Sequence, residues 1–349
     1  MTAKKRATQK KTPASTRPEG APASLVEWRA LFPEPEAQRT IDEILEGLQR
    51  AAKEESSSVL HRRFEDDNGI PLKKQPTDPY EWLCAAKSLW LTNVNAFDDD
   101  VVLSDLRPVG VFTQLILLKV KAAVGADLSP LGNMTQLKEL VVIGGDKSSW
   151  QFIGNLGELE HLDIKPSSDA RKENLGAPEF SIDACPKLIE LKWWGNFSDI
   201  SRLRAGAQLR ALVLRGDVED VSVLRELKSL ERLDLSRNKI RDISPIMALS
   251  NLEQLQISEN WVTSLEGLEQ LESLGNLEAE HNCICDFEPV RKWLEDNAEE
   301  WIEENAPTQL NLSQPTAKAV YDDWLNLEKW KAHATFLEEQ GEPMGEQIL

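Results

Sequence analysis

Apolar residues recur along this chain in a fixed grouping: Leu209, Leu212 and Leu214, then Leu230, Leu233 and Leu235, then Leu252, Leu255 and Ile257. Written L-x-x-L-x-L-x-x-N, the unit has first positions at Phe112, Leu137, Leu159, Leu188, Leu209, Leu230, Leu252 and Leu274, spaced by 25, 22, 29, 21, 21, 22 and 22 residues. Alternation of apolar and polar positions over the last half of each grouping predicts a short strand with one buried face. A single such strand cannot bury its leucines, so neighbouring units must stack into one continuous core. The ninth position is Asn in four units, Asn196, Asn238, Asn260 and Asn282, and Val120, Gly145, Ser167 or Asp217 in others. A polar side chain beside a buried strand needs partners, which predicts an amide ladder between adjacent turns, less regular in the first half.

The connectors repeat too. Asp127-Leu-Ser-Pro130 and Asp242-Ile-Ser-Pro245 each begin ten residues before the next unit, Asp105-Leu-Arg-Pro108 is a further copy, and looser ones begin at Asp199, Asp220 and Ser264. Asp or Ser supplies a cap and Pro is tolerated in a first helical turn, so these segments predict a turn leading into a short helix on the far side of each strand. With this period the chain resembles the 22-residue class of leucine-rich repeats found in bacterial internalins and in the leucine-rich regulatory subunit of protein phosphatase 1. The resemblance spans roughly residues 86 to 290, about 60% of the chain. It implies an α/β solenoid, a horseshoe with short parallel strands on its concave face, and a role in binding other proteins. Host adhesion is not carried over, because Lys4, Lys5, Arg6, Lys10 and Lys11 are followed by Pro, Ser and Thr where a secretion signal has an apolar run.

Composition divides the remainder. Residues 1–24 are basic and rich in Ala, Thr and Pro, a composition that predicts a disordered tail. Residues 25–88, with Ile41, Ile44, Leu45 and Leu48 and then Trp82, Leu83 and Ala86 in a helical stretch that runs on to Leu89, predict a helical cap ahead of repeats over 89–286. Beyond Asp286, Val290, Trp293, Leu294, Trp301, Ile302 and Trp324 predict two or three acidic helices over 287–349. An insertion between Lys165 and Ile182 accounts for the 29-residue step.

Charge and chemistry narrow the function. A net charge of −19 argues against duplex nucleic acid as a ligand of the repeats. No apolar run reaches membrane-spanning length, and four scattered cysteines, Cys84, Cys185, Cys283 and Cys285, predict reduced thiols and a cytoplasmic protein. No metal or cofactor motif is present, and the expected state is a monomer. His161 and Asp163 share a column, but a polar binding surface accounts for them better than acid-base catalysis, and Gly144-Gly145-Asp146 lacks the spacing of a phosphate loop.

Strand residues flanking the middle leucine are expected on the concave face. They give an apolar set, Ile116, Leu118, Val141, Ile143, Trp194 and Val213, beside the cations His161, Lys165, Lys192, Arg215 and Arg232. An exposed apolar cluster with a polar rim marks an interaction site, and Trp and Arg dominate such interfaces. Cover by the chain's own helices or by the insertion is the alternative. The register places Trp193 inward and Trp194 outward. The expected function is a non-catalytic scaffold or regulator that binds a protein partner. A bacterial effector or defence component with a targeting tail, and an enzyme with a site in the terminal regions, are the other readings.

Overall fold

The computed structural model describes residues 21–53, 78–91, 102–145, 150–165, 182–195, 198–284, 288–296 and 309–311. The basic tail up to residue 20, the insertion over 166–181, Asn196, Cys285, His333 and most of the acidic end lie outside these described residues.

Eleven strands among the described residues form one parallel sheet. They are β1 (Ser88–Trp90), β2 (Val102–Leu103), β3 (Leu117–Ala122), β4 (Glu139–Gly144), β5 (His161–Lys165), β6 (Glu190–Trp194), β7 (Ala211–Arg215), β8 (Arg232–Asp234), β9 (Gln254–Gln256), β10 (Asn276–Glu278) and β11 (Gln309–Asn311). Spatial order follows chain order, except that β1 pairs directly with β3 and β2 adds beside the end of β3. Each strand sends alternate residues into the core: Leu140 and Val142, Leu162 and Ile164, Leu191 and Trp193, and Leu212 and Leu214 are all fully or almost fully buried. The connectors behind the sheet are 3-10 turns, not α-helices, such as Ser129–Asn133, Ser201–Ala205, Ser222–Glu226 and Ser244–Ala248. Asp127, Asp199, Asp220 and Asp242 each accept the backbone N–H two residues on, at 2.8–2.9 Å, which opens each turn.

Strand exits differ between the two halves. In the second half Asn238, Asn260 and Asn282 are buried, each following a residue in the left-handed region, Arg237, Glu259 or His281. Asn238 Oδ1 accepts from the amides of Gly216 and Val218, while its Nδ2 donates to the carbonyls of Leu214 and Leu235. In the first half, backbone pairing does this work: β3 and β4 run six residues, against three for β8, β9 and β10. Peptide groups must be paired one way or the other, so a longer ladder stands where the amide ladder is missing.

The structure corrects the register of the first unit. Leu118 pairs with Leu140 and Val120 with Val142, so the unit starts at Leu115, 22 residues before Leu137, and not at Phe112. Phe112 instead packs edge-on against Trp28 at 5.1 Å, in the seam with the helices α1 (Leu25–Leu31), α2 (Pro35–Lys53) and α3 (Pro79–Ala85). Trp28, Ile41, Ile44 and Leu83 from these helices belong to the same core as the repeats. At the other end, α4 (Glu288–Asp296) is followed by β11, which pairs with β10 in the ordinary register, so a strand interrupts the helices expected there.

Candidate binding face

The sheet's second face, turned away from the 3-10 connectors, carries three columns of side chains. The first runs Leu117, Glu139, His161, Glu190, Ala211, Arg232, Gln254 and Asn276. The second runs Lys119, Val141, Asp163, Lys192, Val213, Asp234, Gln256 and Glu278. The third holds Lys121, Ile143, Lys165, Trp194 and Arg215, continued in sequence by Ser236, Ser258 and Glu280.

This placement moves two expected site residues off the face. Leu118 is fully buried in the core, and the side chains on the open face of β3 are Lys119 and Lys121. Ile116 precedes β3, where its carbonyl accepts the amides of Lys138 and Glu139. Val141 lies in the second column yet is only 5% exposed. Ile143, Trp194 and Val213 are partly exposed.

Carboxylates answer most of the cations. Lys119 pairs with Glu139 at 2.9 Å, Lys165 with Asp163 at 3.0 Å, and Arg215 with Asp234 at 2.8 Å. Glu190 takes both Lys192, at 2.8 Å, and His161 Nδ1, at 2.9 Å, so the imidazole faces Glu190 and not Asp163. Burial works against the charged form of Glu190, but hydrogen bonds from Lys192 and His161 outweigh it and hold the carboxyl below its usual range. Among the described residues Arg232 has no ion pair, and it is exposed. A shallow hollow of about 270 Å³ lies over β3 to β6, with Val141 and Leu162 in its floor and Glu139, Asp163 and Lys192 among its walls.

Trp194 is the aromatic centre of the face. The Arg215 guanidinium stands 4.7 Å from its ring centroid and the Lys165 ammonium 5.6 Å, while Trp193, one residue earlier, is fully buried against Trp150. Trp194 Nε1, Arg215 Nε and Asp163 Oδ1 are buried with no hydrogen-bond partner among the described residues. A second aromatic, Trp90 on β1, has the Lys119 ammonium 4.0 Å over its ring. Trp90, Lys119 and Lys121 add to the residues expected on this face, and the strict alternation Leu118-Lys-Val-Lys-Ala122 is the signal in the sequence for the two lysines.

A parallel strand per turn of about 22 residues, leucines inward on every strand and a buried asparagine ladder together decide the architecture. The chain is a leucine-rich-repeat solenoid. No family model matches the sequence, and no curated protein does. Among solved structures, this solenoid is similar to internalin C2 of Listeria monocytogenes, with 18% identity over 82% of this chain and 96% of that one and a TM-score of 0.45. An internalin F of the same organism is 21% identical over 76% and 94%, with a TM-score of 0.41. A leucine-rich-repeat protein of Leptospira interrogans is 17% identical over 71% and 72%, with a TM-score of 0.37. Likeness at this level carries neither partner nor activity to the solenoid. Among the described residues no helix is long and apolar enough to cross a membrane, and no three His, Cys, Asp or Glu residues are grouped to hold a metal ion.

Proposed function

We propose that the protein is an interaction scaffold that binds a protein partner across the open face of the sheet, centred on β6 to β8. The observation that carries this reading is Trp194, a partly exposed indole held between Lys165 and Arg215 on the face that, among the described residues, no 3-10 connector covers. An aromatic ring ordered by cations loses little freedom on binding, and Trp and Arg are among the residue types enriched at the energetic centre of an interface. A cytoplasmic setting belongs to the proposal, supported by Cys84, Cys185 and Cys283, which are buried as thiols.

The test is affinity capture with the full chain, identification of the captured protein, and titration of that purified protein against wild type and Trp194→Glu. Loss of binding with an unchanged circular-dichroism spectrum and melting curve is the expected result. Equal affinity for both forms would refute the placement.

A further inference from the structure

The open face is charged unevenly along the solenoid. Over β3 to β8 its three columns hold six cations against four carboxylates, whereas over β9 and β10 they hold two carboxylates and no cation. The whole chain carries −19. Such a zone, positive on an otherwise acidic protein, favours a ligand of negative sign.

Within that zone, β6 to β8 present a small tile. Ala211 and Val213 of β7 form its apolar floor, with Ala211 almost fully buried and Val213 partly exposed. Lys192 and Trp194 stand on the β6 side, Arg232 on the β8 side, and Arg215 continues the β7 row beside Trp194. Lys192 and Arg215 are each engaged with a carboxylate, while the exposed Arg232 guanidinium has no acidic partner among the described residues. An arginine without a carboxylate on one side of an apolar floor, and an indole on the other side, fit a segment that supplies both a carboxylate and an apolar side chain.

We propose that this tile docks an acidic polypeptide segment with an apolar residue among its carboxylates, the acidic part lying over β6 to β8 and away from β9 and β10. This rests on the open face being the binding face, and it adds the sign and direction of the ligand. The apolar side chain sits on Val213 beside Trp194, and a carboxylate reaches Arg232.

The experiment uses fluorescence anisotropy of two labelled peptides of about nine residues, one repeating two glutamates and a leucine, the other with lysine for glutamate. Both are titrated with the full-length chain, with Arg232→Glu and with Arg225→Glu, a charge reversal on a connector behind the sheet. The expected result is that the acidic peptide binds about tenfold tighter than the basic one, and that Arg232→Glu removes about that factor while Arg225→Glu does not. Equal binding of both peptides, binding of neither, or an equal loss from both variants would overturn the proposal. Failure here together with loss of the identified partner on Trp194→Glu would leave the binding face standing and refute only the acidic ligand.

Discussion

Asn238 and Asn260 donate their side-chain amides to one and the same carbonyl oxygen, that of Leu235, each at 2.8 Å. The Ile257 carbonyl repeats the arrangement one turn later, taking Asn260 at 2.9 Å and Asn282 at 3.0 Å. Each amide thus bonds its own turn and the one before, and the loss of one is felt in two repeats.

Asn260→Ala leaves the Ile240 amide and one bond at each of two buried carbonyls unmatched. The expected loss is about 3 kcal/mol, read as a lower urea midpoint for the full chain. A change within about 0.5 kcal/mol, the range of ordinary surface substitutions, would show that the ladder is not what holds the second half together.

The corrected register of β3 is tested by a pair of neighbours. Leu118→Glu places a charge in the core beside Leu140 and should abolish cooperative unfolding, whereas Lys119→Gln gives up only the ion pair with Glu139 and the contact with Trp90 and should keep a cooperative transition at a modestly lower melting temperature. The reverse ranking would restore the unit starting at Phe112.

Gly144 ends β4 at φ +83°, and a Cβ there would lie 2.3 Å from the Ala122 carbonyl oxygen, which is backbone and cannot swing aside. Gly144→Ala should therefore destabilise by about 2 kcal/mol or more, measured by chemical denaturation. An unchanged midpoint would contradict the strand exit described here.

Glu190 gives a dependence on pH. Its carboxyl titrates lower in the folded chain than its ordinary value of 4.5, so the stability it adds is present above pH 4.5 and is lost as the pH falls below that value through the folded pKa. Wild type and Glu190→Gln should differ in melting temperature at neutral pH and converge in acid. A difference that grew in acid would reverse the sign.

The Cys185 thiol, fully buried with its Sγ donating to the Ile153 carbonyl, is pushed up to about 11 by burial. Alkylation by iodoacetamide at pH 8 should proceed there only at the rate of unfolding, as mass spectrometry of the modified peptide will show. Rapid modification of native protein would contradict its place in the core.

Most of the architecture was legible because spacing alone fixes it: Leu212, Leu233 and Leu255 recur at the period of one turn, and stacking places them side by side. The first unit was misread because Phe112, Leu115 and Leu117 satisfy the same template as Leu115, Leu118 and Val120. Counting ten residues on from Asp105, as the other connectors require, reaches Leu115 and resolves the choice. The open face was less legible. Its cations could be named from the columns, but whether each is answered depends on neighbours set by strand pairing, as with His161 and Glu190 across the insertion. Exposure also failed to follow from position, since Val141 occupies an outward column and is buried among charged side chains.

The central claim, that partners bind across β6 to β8, is tested most directly by hydroxyl-radical footprinting of the purified complex. Trp194 and Trp261 are both partly exposed, the second in the turn after β9 with Arg241 5.1 Å over its ring. Binding should slow oxidation of Trp194 severalfold and leave Trp261 unchanged. Protection of Trp261 or of the exposed Val26 on α1, with Trp194 oxidised at its free rate, would contradict the account.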